Sequence, residues 1–358
     1  AVLDGTDLTP FERQQATRQL QREVASIWGS DEIRREKPTP QQEARGGLAI
    51  LESVLWDALP SYLRKLSLQC QQSLGSPLPL THVPISFSSW MGGDRDGNPN
   101  VTPEVTLEIA IKQREQVARL LLRDVGALYS ELAICKNFSP DLVSLAAAVP
   151  ESPDKRELYR RVLGHLRMRL RATRRWCKGQ LRDLGGTSEW EDSKSVSKTT
   201  GVGTGVGTGV GGVGTGVGTG VGTGTGAVGR DPSVWALECM GAADEPLLDS
   251  AQLLTVLQAI HASLQSSGYG EVADGQLADL IRRVASFGLT LVPLDLRQES
   301  DRHTQALDEI TSYLGLGSYL QWGEEQRISW LQGELSGRRP LFRTRDLCQL
   351  GLSAQVTA

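Results

Sequence analysis

Ser88-Ser89-Trp90-Met91-Gly92-Gly93-Asp94-Arg95-Asp96-Gly97-Asn98-Pro99-Asn100 is the stretch whose reading decides how this chain folds. Before it, Val83 to Phe87 alternate as a short half-buried strand does. After it, Thr102-Pro103 predicts a helix start, with Thr as N-cap and Pro at the first helical position. The glycines between them let the backbone take positive φ and approach a neighbour closely. Asp94-Arg95-Asp96 sets two acceptors around a fork-shaped cation, which holds phosphate or carboxylate through paired hydrogen bonds. Such strand-to-helix corners are where α/β enzymes carry their active sites. A purely structural turn, with Asp and Asn bonding their own backbone, is the alternative. A calcium loop is excluded, because counting from Asp94 puts Val105 where an EF-hand needs its final Glu. A phosphate-cradling P-loop is excluded because no Gly-Lys-Ser/Thr follows.

A second cluster has the same context. Leu289 to Leu296 is a nearly continuous apolar run of strand length, as expected for a strand covered on both faces. Pro293 argues mildly against a central position, since it has no N–H for the ladder. The run ends in Asp295-Leu296-Arg297-Gln298-Glu299-Ser300-Asp301-Arg302-His303-Thr304, with a helix expected from about Thr304. In a (β/α) barrel the carboxyl ends of all strands gather at one mouth. Arg95 and Arg297 would then hold anions, with Asp94, Asp96 and Glu299 orienting them. Two unrelated surface corners is the rival reading.

The rest is mostly amphipathic helix. Thr9-Pro10-Phe11-Glu12 is a capping box, and Leu20, Val24, Ile27 and Trp28 share one face of the helix it opens. Thr39-Pro40, Ser139-Pro140 and Ser152-Pro153 predict further starts. Arg156 to Arg182 predicts a helix with nine arginines and a Leu158, Val162, Leu166, Leu170 stripe. Only Tyr159 and Trp176 could stack on bases there, so a solvated or subunit-facing surface is favoured over nucleic acid. Residues 201–229 repeat Gly-Val-Gly-Thr with slips, too rich in glycine to order and without an amphipathic face. A G-x-G-x-x-G match at Gly209 to Gly214 is compositional, lacking a preceding strand.

With 358 residues the chain can bury a substantial core, and a net charge of −4 gives no field favouring nucleic acid. Five scattered cysteines without C-x-x-C suggest reduced thiols in an intracellular compartment and no zinc site. No apolar run reaches membrane-span length and no signal peptide is visible, so no membrane partner is expected. The chain opens at Ala1 in mid-pattern and reads as part of something longer.

Phe87 to Thr102 resembles the signature block of phosphoenolpyruvate carboxylases, and Asp295 to Thr304 is similar to a second one. Supporting similarity runs through Ser30 to Arg34, Ser53 to Trp56, Pro60 to Arg64, Tyr313 to Gly315 and Arg339 to Leu341, with the bacterial-type branch nearer than the plant photosynthetic one. The resemblance implies a mainly α fold with a few parallel β-strands, part of a TIM-like α/β barrel heavily decorated with helices. It implies a cytoplasmic homotetramer that adds bicarbonate to phosphoenolpyruvate with Mg²⁺ or Mn²⁺, yielding oxaloacetate and phosphate in anaplerotic carbon fixation. Bicarbonate attacks the phosphate, carboxyphosphate releases CO₂, and the enolate of pyruvate captures it. Arg297 is similar to a substrate-binding arginine of the family, and Asp94, Arg95, Asp96, Gln298, Glu299 and Arg302 are candidates for the pocket mouth.

The resemblance also has departures. None of His82, His165, His261 or His303 stands in the family's His-Pro-Thr-Glu run, and the metal carboxylates and Gly-Arg-Gly-Gly loop are not in this sequence. The isolated chain is therefore expected to be inactive and to hold no metal. Three segments are expected: helices with one barrel strand over 1–185, a disordered insertion over 186–233, and helices with a barrel strand over 234–358. A non-catalytic homologue serving as an interaction or regulatory subunit is the alternative, and an arginine-rich nucleic-acid binder a weaker one.

Overall fold

The computed structural model describes residues 9–30, 37–149, 156–185, 231–338 and 341. The repeat and the Ser152-Pro153 start lie outside them, as do nearly all of the Ser30 to Arg34 and Arg339 to Leu341 resemblances. The chain divides into two units, residues 1–39 and 40–358. In the first, α1 (Pro10–Gly29) starts with the expected capping box: Thr9 accepts from the Glu12 N–H, and the Glu12 carboxylate accepts from the Thr9 N–H at 2.8 Å. Its Leu20, Val24, Ile27 and Trp28 stripe is exposed.

The second unit is a helical assembly. Its helices are α2 (Pro40–Ile50), α3 (Trp56–Leu74), α4 (Pro103–Glu131), α5 (Pro140–Ala148), α6 (Leu158–Asp183), α7 (Pro232–Met240) and α8 (Ser250–Ser266). A short α9 (Gly270–Val272), α10 (Ala278–Phe287), α11 (Ser300–Tyr313) and α12 (Glu324–Ser336) complete it. Thr102 and Ser139 cap α4 and α5 as expected, each accepting from a backbone N–H three residues on. Asp231 caps α7, so regular structure resumes at Pro232, within the end of the expected insertion.

One apolar core runs through this unit. Val117, Leu121 and Val125 of α4 meet Val162, Leu166 and Leu170 of α6, and Leu253, Leu257 and Ile260 of α8 extend it. Full burial of each such side chain contributes roughly 1.5–3 kcal/mol. A polar knot ties α3, α4 and α10 together. Trp56 Nε1 donates to Asp124 at 2.8 Å, and Arg283 donates to Asp124 at 3.0 Å and to the Trp56 carbonyl at 2.8 Å. Pro60 explains the last bond: it has no N–H to offer the carbonyl four residues back, and Arg283 supplies the missing donor.

Neither expected strand forms. Val83–Phe87 is irregular, and Leu289–Leu296 is a turn and bend followed by a single bridging residue, Leu294. Leu291 has φ +66°, which breaks an extended run, and Pro293 cannot donate to a ladder. The run is apolar because Leu289, Leu291 and Val292 are buried in the core, not because they form a strand. The helix expected from Thr304 starts at Ser300, so Arg302 and His303 ride its first turn. Mainly helical architecture is therefore what the described residues show.

Candidate functional site

Stacking brings the two charged corners together. Phe287, the last residue of α10, stacks on Trp56 at 5.2 Å and on Phe87 at 5.7 Å. Gly288 then turns the chain with φ +57°, a conformation that favours glycine. Phe87 thus holds the approach to the first corner beside the start of the second.

From there the corners run side by side through two parallel bridges, Ser89 with Leu294 and Asp94 with Arg297. The Ser89 N–H donates to the Pro293 carbonyl at 3.0 Å, and the Asp295 N–H to the Ser89 carbonyl at 2.8 Å. Further on, the Arg297 N–H donates to the Gly93 carbonyl and the Arg95 N–H to the Arg297 carbonyl, both at 3.0 Å. The Ser88 hydroxyl also reaches the Asp295 carboxylate at 3.0 Å.

Gly92 and Gly93 make this approach feasible. A Cβ on Gly93 would sit 2.4 Å from the Asp295 carbonyl oxygen. Gly92 has φ +85°, and a Cβ there would meet Ile109 of α4 at 2.2 Å. Thr106, also on α4, donates its hydroxyl to the Gly92 carbonyl at 2.7 Å and accepts from Arg95 Nη2 at 3.3 Å. Sequence reasoning missed Thr106. Its only signal is its place one helical turn after the Thr102 cap.

The arginines are not held as the sequence suggests. Among the described residues neither Arg95 nor Arg297 forms an ion pair with Asp94, Asp96 or Glu299. Arg95 is half-buried, and its Nε–H is buried without an acceptor. Arg297, Glu299 and Arg302 are exposed, while Gln298 is half-buried and accepts from the Glu299 N–H at 3.0 Å. Asn98 accepts from the Asn100 N–H at 3.2 Å, so that part of the corner is a self-bonded turn. Glu104 is held below the usual carboxylate range by its own N–H and the Thr102 hydroxyl, with Arg95 adding to the effect.

The exposed Arg297 guanidinium, without a carboxylate partner among the described residues, offers a fork that an oxyanion fits. Among the described residues no group of three His, Cys, Asp or Glu side chains could hold a metal ion. No helix of the described residues is long and apolar enough to cross a membrane.

Fold and crossing together define a helical protein built around two arginine-bearing charged corners joined backbone to backbone. The family model for phosphoenolpyruvate carboxylase matches residues 1–199 and 231–355, breaking off only across the glycine repeat. The chain belongs to the phosphoenolpyruvate carboxylase family. It is 41% identical over 342 residues to a phosphoenolpyruvate carboxylase of Pseudomonas fluorescens, and 37% identical over 340 residues to one of Salmonella typhi. These alignments cover 96% and 95% of this chain and 32% of each relative, so it spans about a third of their length.

Proposed function

We propose that this chain is a segment of an enzyme that adds bicarbonate to phosphoenolpyruvate, forming oxaloacetate and phosphate, and that Arg297 holds an anionic group of the substrate. One observation supports this above others. The two corners share backbone hydrogen bonds, and among the described residues the guanidinium of Arg297 has no carboxylate partner.

The chemistry explains why that arrangement suits the reaction. Phosphate, carboxylate, bicarbonate and a developing enolate must share one site, and fixed cations offset their mutual repulsion best where water is excluded. Arg297 offers a planar fork to a phosphate or carboxylate. Arg95, joined to Arg297 through its backbone N–H and steadied by Thr106, is the second holder in this reading. Asp94, Asp96, Gln298, Glu299 and Arg302 border this mouth, where their charges tune which anions enter. The family's divalent metal, Mg²⁺ or Mn²⁺ in this reading, would be bound by residues other than those described. The same reading sets the crossing at the mouth of an eight-stranded barrel in a cytosolic homotetramer. The parallel sense of the two bridges supports the barrel, and free Cys70, Cys135, Cys177 and Cys239 suit a reducing compartment.

A hybrid enzyme tests the proposal. This chain replaces the aligned third of the Pseudomonas fluorescens relative, and bicarbonate-dependent oxaloacetate formation is measured. Turnover that Arg297→Gln abolishes is the expected result. A folded, correctly assembled hybrid without turnover overturns it.

A further inference from the structure

One hydroxyl ties the first corner to α4. Thr106 is only 8% exposed, and its Oγ1 lies 2.7 Å from the Gly92 carbonyl and 3.2 Å from the Thr102 carbonyl. Arg95 Nη2 approaches the same oxygen at 3.3 Å. A hydroxyl has one proton to give and two lone pairs to offer. Both carbonyls can only accept, and the nearer one, on Gly92, takes the proton. A guanidinium can only donate, so Oγ1 meets Arg95 with a lone pair. The direction of the chain from Arg95 through Thr106 to Gly92 is thereby fixed.

This tie decides which edge of the Arg95 guanidinium is usable. Nε–H is buried without an acceptor, and Nη2 gives one hydrogen to Thr106. The side edge that these two nitrogens share is therefore closed. Nη1 is not sealed in the interior and has no partner among the described residues, so the Nη1–Nη2 end stays open. Arg297 differs, because its side chain is exposed and has no partner among the described residues to set its direction. Backbone and cation also share one anchor: Gly92, whose carbonyl Thr106 holds, turns the corner with φ +85° three residues before Arg95.

We propose that Thr106 is a positioning residue for the carboxylation. Its hydroxyl holds Arg95 so that the guanidinium offers only its Nη1–Nη2 end, a fork that fits two oxygens of one carboxylate or phosphoryl group. The exposed Arg297 then adjusts to the remainder of the anion. This rests on the reading of Arg95 as a holder of the substrate.

Two measurements test it. In the full chain, labelling by a dicarbonyl reagent that condenses with both Nη nitrogens is timed by mass spectrometry, with exposed Arg123 of α4 as internal reference. Arg95 should be labelled about fivefold faster in Thr106→Val and at the parent rate in Thr106→Ser, which keeps the hydroxyl. Thr106→Ala replaces Thr106→Val if that variant does not fold. Equal labelling in variants and parent overturns the hold. In the hybrid enzyme, Thr106→Val should raise the KM for phosphoenolpyruvate about fivefold with kcat within about twofold, and Thr106→Ser should restore it. No further rise is expected in an Arg95→Gln background. An unchanged KM, or an equal rise without Arg95, overturns the positioning role even where Arg297→Gln abolishes turnover. A hybrid without turnover overturns the reading beneath it instead, and the labelling rates still decide whether Thr106 holds Arg95.

Discussion

The backbone N–H of Arg95 donates to the backbone carbonyl of Arg297 at 3.0 Å, so these two residues share a hydrogen bond while their side chains stay free of each other's carboxylate neighbours. That bond depends on how closely Gly93 approaches Asp295. Gly93→Ala forces a Cβ to 2.4 Å from a main-chain oxygen, which cannot swing away as a flexible side chain would. Overpacking of this kind costs about 1–3 kcal/mol. Gly97→Ala faces open space and pays only for φ +66°, about 1 kcal/mol. Urea unfolding of both variants should rank Gly93→Ala as the more damaging; the reverse order would mean the crossing does not hold the corners.

Arg297→Gln should separate function from stability. The side chain is exposed and lacks a partner among the described residues, so unfolding should shift by no more than about 0.5 kcal/mol. In the hybrid enzyme, kcat/KM should fall by about a hundredfold or more, as when a charged donor to a reacting anion is lost. Full activity in this variant would remove Arg297 from the substrate site.

Arg283 and Asp124 form an ion pair whose side chains are only 15% and 11% exposed. Replacing Arg283 leaves Asp124 with Arg123 and Trp56 Nε1, both at 2.8 Å, so the cost should fall below the about 3–5 kcal/mol of a buried charge left alone. Part of the loss in Arg283→Met comes from stranding the Trp56 carbonyl. Pro60→Ala gives that carbonyl a helical N–H again, so the Arg283→Met penalty should shrink in that background. A double-mutant cycle measures the coupling, and strict additivity would count against the role assigned to Pro60.

His165 makes the fold sensitive to acid. Its Nε2–H faces the Met240 and Gly241 carbonyls at 3.1 Å, while Nδ1 is buried without a partner. Burial, with Arg169 nearby, pushes its pKa below the ordinary 6.5. Protons therefore bind the unfolded chain first. His165 contributes its full stability above pH 6.5, and that contribution declines as pH falls below it until the lowered folded pKa is reached. Thermal melts between pH 7.5 and 5.5 should show a loss that is smaller in His165→Gln. An identical loss in both proteins would exclude His165 as its source.

Thiol chemistry probes the packing of α6. Cys135 is exposed, whereas burial raises the Cys177 thiol to about 11. The thiolate is the reactive form, so a thiol reagent at pH 8 should label Cys135 quickly and Cys177 only on unfolding. Mass spectrometry of timed digests decides this. Early labelling of Cys177 would show that the α4–α6 seam opens.

Local signals were legible because they act over three or four residues. Thr9, Thr102 and Ser139 cap helices in the structure because each hydroxyl needs only the N–H of the next turn. Leu289 to Leu296 misled because an apolar run reports burial and not backbone conformation, and positive φ at Leu291 cannot be read from residue type. Ser300 opens α11 without a side-chain cap, so nothing in the residues marked its start ahead of Thr304.

By itself the sequence determined the helical character, the positions of the caps, and the two charged, arginine-bearing corners, since these follow from residue type and short spacing. Tertiary structure alone decided that Phe87 and Phe287 stack, that the corners bond backbone to backbone, and that Thr106 rather than a flanking aspartate steadies Arg95. Those outcomes depend on which distant surfaces meet when the core closes, and such meetings are set by packing across the whole chain rather than by any local pattern.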